Sequence, residues 1–376
     1  MNTRTLTLIS TLALLSSTWG KEETSITMPA SAKLAFVEDW SSGQIDPTKW
    51  YMLRKKWGAG NHGVVPENVF LAKDTVDGKE QHVLVCRGHG DQYQGAIVGL
   101  HGNAQRVGGV IVSKPYFASG RFEVVMKIGK TSHTAGNPKD PRRPIGMIPA
   151  IWTYAYRWVQ AGKQSDPHAF SKDNPMYNPH LNHRGWKSNE YWSEIDFPEF
   201  GKNQDLETGL YNGFVNKSHQ SLTFDTKAAI DGQFHTFTTI WRTHLVPIPG
   251  VTDQQVTSYN GYWWIQDKRI PFKQYLGNPL KRLGKDQYSI YSGKVATHFI
   301  DGQYVGSNHK FVPSMAAQLN IGVWFPKWAG AAPWKQSTIS VASVKIWQFD
   351  DPGDVRGILT EDITNNMDKQ GKPLQP

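Results

Sequence analysis

The feature of this sequence that most constrains its fold is a succession of short runs in which apolar and polar residues alternate, each ended by Gly, Pro, Asn or Asp. Clear examples span residues 120–127, 235–241 and 339–347. A period of two is that of a half-buried strand, and almost no stretch has the 3.6-residue period of a helix. We therefore predict an all-β chain, an antiparallel β-sandwich of the jelly-roll type.

The length of the chain is compatible with one large domain. Sandwiches commonly run to about 200–250 residues as one unit, with loops added on top. We predict a single domain over residues 21–353, with a long loop insertion at residues 131–190, followed by a polar tail over residues 354–376.

The first twenty residues differ in kind from the rest. Arg4 precedes an apolar run from Leu6 to Leu15, and Gly20 is a small residue at which a signal peptidase could cut. Such a run is too short to cross about 30 Å of hydrocarbon as a helix. We predict a signal peptide over residues 1–20 and a secreted or periplasmic protein. No later apolar run approaches the length of a membrane span, so membrane insertion is not expected.

Cysteine chemistry is restricted to one residue, Cys86. A lone cysteine excludes an intrachain disulfide and a cysteine-ligated zinc site. It ends the apolar run that begins at His82, which predicts a buried strand and an inert core thiol.

The segment from Tyr191 to Phe200 holds the closest cluster of candidate catalytic residues, because it carries three acids. In a strand Glu194 and Asp196 point to the same face, whereas Glu199 points away from it. One extra residue in a β-bulge would return Glu199 to that face, and Pro198 is a residue type found at bulges and edges. The spacing thus predicts three carboxyl groups along one face of one strand.

Such a row is electrostatically unfavourable, because neighbouring like charges oppose joint ionisation. Glycoside hydrolysis gives it a use, since a retaining enzyme needs two carboxyl groups about 5–5.5 Å apart, one as nucleophile and one as acid/base. The alternatives are a solvated acidic strand end or ligands of a divalent metal. Apolar residues at Ile195 and Phe197 argue against a solvated face.

The segment Glu194-Ile-Asp-Phe-Pro-Glu199 resembles the signature of glycoside hydrolase family 16, the laminarinase, lichenase, agarase and carrageenase group. The resemblance follows the family's order along most of the chain, through residues 36–50, 65–69, 108–124, 149–152, 234–241, 322–326 and 344–347. It implies a jelly-roll, concanavalin A-like sandwich with an open cleft and endo-acting, retaining cleavage of β-linked glucans or galactans. It also implies that Glu194 is the nucleophile, Asp196 the assisting acid and Glu199 the acid/base.

The same resemblance assigns further residues to the cleft and to a metal. Asn68, Trp152, Trp192 and Trp324 match positions of substrate-binding residues, and flat aromatic rings suit stacking on sugars. Glu38, Gly43 and Asp350 match positions near a structural calcium in many members. No cofactor is expected to take part in catalysis.

The insertion over residues 131–190 concentrates positive charge. It holds eight lysines and arginines against four acids, within a chain of net charge +9. Arg143, His183 and Arg184 are candidates to bind sulfate groups of an algal polysaccharide, and a solvated loop is the alternative. Ser193 before the first acid is also closer to the carrageenase-type branch.

Two questions about the partner stay open at this stage. A β-1,3- or mixed-linkage glucan is the favoured substrate, with a sulfated β-galactan of the carrageenan, porphyran or agar type as the alternative. A second alternative is a non-catalytic, lectin-like polysaccharide-binding protein. Nucleic acid is not expected as a partner, since no nucleic-acid motif accompanies the basic composition, and the sequence predicts no oligomeric state.

Overall fold

The alternating runs form strands in the computed structural model. It describes residues 24–56, 62–129, 144–160, 188–215, 218–243, 245–259, 262–265, 280–290 and 294–354. The predicted signal peptide, most of the insertion, Arg143, His183, Arg184 and all of the tail beyond Asp354 lie outside these residues, as does the side chain of Trp192. Those predictions therefore stay predictions.

The strands are numbered in chain order. They are β1 (Lys33–Glu38), β2 (Trp50–Met52), β3 (Val69–Val76), β4 (Lys79–His89), β5 (Gly109–Phe117), β6 (Gly120–Ile128), β7 (Ile148–Gln160), β8 (Ser188–Phe200), β9 (Thr208–Val215), β10 (Ser218–Asp225), β11 (His235–Arg242), β12 (Val246–Ile248), β13 (Val256–Tyr259), β14 (Tyr262–Ile265), β15 (Lys281–Gly284), β16 (Gln287–Ile290), β17 (Val295–Ile300), β18 (Gln303–Asn308), β19 (Ala317–Trp324) and β20 (Gln336–Gln348). Short 3-10 turns span Pro66–Asn68, Leu100–Gly102, Lys202–Gln204, Lys227–Ile230, Asp253–Gln255 and Lys327–Ala329.

Most of these strands belong to two antiparallel sheets. One has the order β18-β17-β11-β6-β20-β4-β3, with β1 added beside β20. The other has the order β10-β9-β8-β7-β19-β5-β2. Strands β12, β16 and β15 form a small sheet, and β13 pairs with β14. The all-β fold class with two packed antiparallel sheets is therefore confirmed.

The core is formed by the apolar faces of the two large sheets. Phe122 of β6 packs its ring 5.9 Å from Phe197 of β8, and Phe237 of β11 lies 5.9 Å from Phe200. Cys86 is free and fully buried in this core, and burial raises the pKa of its thiol, as an inert core thiol requires. In the described part of the chain no helix is long and apolar enough to cross a membrane.

Candidate active site

The bulge predicted from the sequence is present in β8. Asp196 faces Trp152 of the neighbouring β7, and Glu199 faces Ala150. The partners on β7 are two residues apart, whereas the acids on β8 are three apart, so β8 carries one extra residue around Pro198. The register with β9 on the other side shifts over the same stretch. This extra residue returns Glu199 to the face of Asp196.

The two faces of β8 have opposite characters. Ile195 and Phe197 are buried in the core between the sheets. Glu194, Asp196 and Glu199 lie on the other face, close enough for electrostatic coupling between successive acids. The sheet thus gathers the three predicted acids into one site and holds it against the core by the alternate side chains.

Asp196 is the middle acid and is 1% exposed. Asn212 of β9 donates a hydrogen bond from its amide nitrogen to Asp196 Oδ2 at 2.5 Å. Burial raises the pKa of Asp196 well above its ordinary value, and the adjacent Glu194 carboxylate raises it further, against the lowering effect of the Asn212 amide. Burial and the neighbouring Glu194 thus both favour the protonated form of Asp196.

Glu199 is 9% exposed, and its Oε2 accepts a hydrogen bond at 3.4 Å from the same amide nitrogen of Asn212. Burial and then the nearby Asp196 raise its pKa well above the ordinary value. The indole N–H of Trp324 and the charge of Lys202 act in the opposite direction. The upward shift in pKa favours the protonated form of Glu199, which is the form that a general acid needs.

Glu194 differs from the other two acids because it is only half-buried. Its backbone partner on β7 is Tyr154. The ammonium group of Lys55, on the segment that follows β2, lies 5.6 Å from the centre of the Tyr154 ring. The outermost acid of the row is thus bordered by an aromatic ring and a cation.

Aromatic side chains continue the outer face of the sheet beside the acids. Trp152, directly opposite Asp196, packs in an apolar cluster with Tyr154 and Trp324. Trp328 makes an edge-to-face contact with Trp324, with ring centroids 5.7 Å apart, and is 37% exposed. The structure thus places the predicted Trp152 and Trp324 beside the acids.

Sequence reasoning missed several residues of this site. Asn212 and Tyr154 carry no motif of their own, and only the pairing of β7, β8 and β9 brings them to the acids. Lys202 also belongs to no motif, and it lies in the turn that directly follows β8. Trp328 was one tryptophan among fifteen. Its position four residues after Trp324, just past the end of β19, was the one available signal.

Asn68, a predicted cleft residue, is held by hydrogen bonds within the protein. It is fully buried, and its amide nitrogen donates to the backbone oxygens of Val107 and Gly108 at 3.3 and 3.4 Å. Its Oδ1 accepts a hydrogen bond from Arg87 Nε at 3.1 Å. Both ends of its amide are thus engaged within the protein, and contact of Asn68 with substrate stays a prediction from the resemblance.

The predicted calcium ligand Glu38 does not fit that role through its side chain. Its Oε1 accepts the backbone N–H groups of Asp39 and Trp40 at 3.2 and 3.1 Å, and its Oε2 accepts Trp50 Nε1 at 3.1 Å and Lys49 Nζ at 3.5 Å. A carboxylate has about four lone-pair sites, and donors face all of them. Lys49 already supplies the positive charge that calcium would bring.

The other two predicted calcium residues lie in turns. Gly43 and Asp350 both have left-handed backbones, with φ of 68° and 54°. Among the described residues no three His, Cys, Asp or Glu side chains form a group suited to a metal ion. A calcium ion held by Gly43 and Asp350 remains a prediction from the resemblance alone.

The comparisons with known proteins find likeness at the level of solved structures. No family model and no curated protein matches the chain. A β-1,3-1,4-glucanase (lichenase) from a mouse hindgut metagenome has 16% identity and a TM-score of 0.44 over 84% of this chain and 98% of its own. A laminarinase catalytic domain from Thermotoga petrophila has 14% identity and a TM-score of 0.47, over 85% of this chain and 99% of its own. A Bacillus licheniformis β-glucanase has 13% identity and a TM-score of 0.44, over 83% of this chain and 96% of its own. At identities this low, the case for a function rests on the side chains of the site.

Proposed function

We propose that this protein is a retaining, endo-acting glycoside hydrolase of a β-linked polysaccharide, exported by its N-terminal leader. The observation that carries the proposal is the division of three coupled acids on one strand face. Asp196 and Glu199 are buried with raised pKa values, whereas Glu194 is the most exposed. A retaining mechanism needs this division between one acid that holds a proton and one carboxylate that attacks.

In the first step Glu199 donates its proton to the glycosidic oxygen while the carboxylate of Glu194 attacks the anomeric carbon. The bond from that carbon to the leaving oxygen breaks and a bond to Glu194 forms, so the leaving chain departs with a new hydroxyl group. Burial raises the pKa of Glu199 and so favours the protonated form that this step requires.

In the second step the Glu199 carboxylate takes a proton from water, and the resulting hydroxide attacks the anomeric carbon and releases Glu194. Two inversions give overall retention. Asp196, whose raised pKa favours the protonated form beside Glu194, orients that carboxylate, and Asn212 donates to both Asp196 and Glu199 from one amide nitrogen. Trp324 and the exposed Trp328 provide apolar faces for sugar rings beside the acids.

The decisive experiment replaces the nucleophile. Glu194→Gln keeps the size of the side chain and removes the charge, so we expect hydrolysis to fall by about three orders of magnitude or more while polysaccharide binding persists. Reducing ends are measured on laminarin, lichenan, agarose, porphyran and carrageenan, and NMR gives the anomeric configuration of the first product. Glu80→Gln, on an exposed strand end, is the matched control.

The outcomes separate the proposal from its rival. A β-configured first product from the wild type, lost in Glu194→Gln, supports a retaining hydrolase. Wild-type turnover in Glu194→Gln, or an inverted product, contradicts it. Binding of a polysaccharide without any release of reducing ends from the wild type would identify a lectin-like protein.

A further inference from the structure

Positive charge gathers at the edge of the catalytic sheet beyond β5. The segment after β2 runs beside β5, with Leu53 N donating to Val110 O at 3.0 Å. Lys55 then exchanges two backbone hydrogen bonds with Val64, at 3.1 and 2.8 Å. This places the consecutive Arg54, Lys55 and Lys56 on the side of the sheet opposite β10.

A cavity of about 530 Å³ opens at this edge. Arg54, Glu67 and His101 line it together with residues 96–99 and Gly102. Arg54 and Glu67 form an ion pair at 2.5 Å across the wall. The volume is in the range of small-molecule sites, and the lining combines apolar surface with a few polar groups.

Basic residues of separate segments lie near His62, whose backbone oxygen accepts the N–H of Leu100 beside this cavity at 2.8 Å. Burial lowers the pKa of His62, and the charges of Lys56, Arg106 and His101 lower it further, which places all three within electrostatic range of one imidazole. The segments 53–56, 62–68 and 87–108 carry five lysines and arginines against only two acids, Glu67 and Asp91. Both acids are held in ion pairs, Glu67 by Arg54 and Asp91 by Arg106 at 3.3 Å.

The loop that brings these cations together is conformationally constrained. His101 and Arg106 both have left-handed backbones, with φ of 68° and 53°. This region is unfavourable for residues with a Cβ and persists where the surroundings impose it. Two such residues on one loop, both basic, indicate that the surrounding structure fixes the conformation of this loop.

The segment that carries Arg54 also contacts the acid site. Leu53, which precedes Arg54, and Val64, the bridge partner of Lys55, belong to the same apolar cluster as Trp152. The ammonium group of Lys55 lies over Tyr154, the strand partner of Glu194. A polysaccharide lying across the strands from β8 towards β2 would therefore pass from the acids to the cations.

We propose that this cavity is an anion subsite of the cleft, which binds a sulfate ester or a carboxylate carried by a sugar of the polysaccharide. The inference rests on the proposed function, because it takes the cleft of the three acids as the polysaccharide site. A neutral sugar carries no negative charge that could compensate the positive charge of these residues. Arginine and lysine bind sulfate and carboxylate oxygens through charge-assisted hydrogen bonds, which are stronger than those to hydroxyl groups.

The test compares matched polysaccharides that differ only in charge. Dissociation constants of full-length Glu194→Gln are measured for laminarin, laminarin sulfate and carboxymethyl-laminarin, and for agarose oligosaccharides with and without sulfation. We expect about tenfold tighter binding of an anionic form at low salt, with the preference shrinking as salt rises.

Substitutions test whether the preference for anionic polysaccharide depends on residues at this cavity. Lys56→Gln and His101→Gln change exposed side chains, so the fold should persist, and together they should reduce the ratio of anionic to neutral affinity by about fivefold to tenfold. Lys73→Gln, on an exposed strand of the other sheet, should keep the wild-type ratio.

Equal binding of charged and neutral forms, or the same loss of preference in Lys73→Gln as in the double variant, would overturn the subsite. Because binding is read in Glu194→Gln, failure of the subsite is separate from failure of the hydrolase. A charge preference lost only in the double variant, with no hydrolysis by the wild type, would leave the subsite standing and reject the enzyme.

Discussion

At the scale of single residues, the site depends on opposing influences on two buried acids. Burial raises the pKa values of Asp196 and Glu199, and a neighbouring acid raises each further, whereas Asn212 lowers the pKa of Asp196 and Trp324 lowers that of Glu199. A general acid works best when its pKa lies near the working pH, so groups that pull it back down from a large upward shift are as important as the burial that raises it.

Trp324→Phe tests that influence on Glu199. Phenylalanine keeps an aromatic ring and removes the indole N–H that lowers the pKa of Glu199. The acid should then keep its proton to higher pH, so the alkaline limb of the profile of kcat/KM against pH should move upward. Trp328→Phe, which changes the exposed ring of the same pair, is the control and should leave the limb in place. A downward shift in Trp324→Phe would contradict the assignment of Glu199 as the acid.

Asp196→Asn tests the cost of the buried acids to the fold. A carboxyl group whose pKa is raised by folding stabilises the protein below its unfolded pKa, and this contribution is lost as pH rises through the folded value. Asparagine cannot ionise, so the variant should become more stable than the wild type on the alkaline side, by about 1–3 kcal/mol. Thermal unfolding at several pH values measures this, and activity should fall sharply. If the difference in stability between Asp196→Asn and the wild type does not grow as pH rises, the raised pKa of the buried Asp196 is contradicted.

At the scale of elements, β8 is the strand that organises the site. Its period of two separates core residues from acids, and the extra residue at Pro198 corrects the phase for Glu199. All of this is local to thirteen residues of one strand. The partners β7 and β9 then add what one strand cannot provide, the amide of Asn212 and the aromatic wall of Trp152 and Tyr154.

The end of β1 gives a prediction about metal dependence. Lys49 donates to Glu38 and to the backbone oxygen of Val37 at 2.9 Å, so a lysine holds the charge of a buried carboxylate. Chelation with EDTA should therefore leave the melting temperature unchanged, whereas Lys49→Met should cost about 1–3 kcal/mol in the free energy of unfolding. Lys73→Met is the surface control. A melting temperature that drops on chelation and recovers with Ca²⁺ would show that calcium is bound and would restore the calcium prediction at Gly43 and Asp350.

At the scale of the whole molecule, the sheet that carries the three acids packs against the other large sheet through aromatic rings. Phe122 lies between Phe197 of β8 and Trp241 of β11, with ring centroids 5.9 and 6.2 Å away. Phe197 stands on the core side of the strand whose other side carries the acids. Packing between the sheets and geometry within the site are thus coupled through one strand.

Phe197→Ala should expose that coupling. Removing a fully buried phenylalanine costs about 3–5 kcal/mol, and the cavity would free the bulge that positions Glu199. We expect a large loss of stability in urea unfolding and a loss of kcat in the protein that remains folded. Phe197→Leu, which refills most of the volume, should recover most of both. Full activity in Phe197→Ala would mean that the bulge is held by β7 and β9 alone.

The sequence by itself determined what depends on neighbours along the chain. Strand period, the shared face of Glu194 and Asp196, and the need for a bulge before Glu199 follow from a repeat of two residues, and the structure has all three. The tertiary structure alone decided what depends on which strands lie side by side. Asn212 donates to Asp196, Lys55 lies over Tyr154, and the buried Asn68 donates to backbone oxygens about forty residues away, because sheet order joins residues far apart in the chain. Spacing along one strand is fixed by covalent geometry, whereas contacts between strands depend on how the entire core packs.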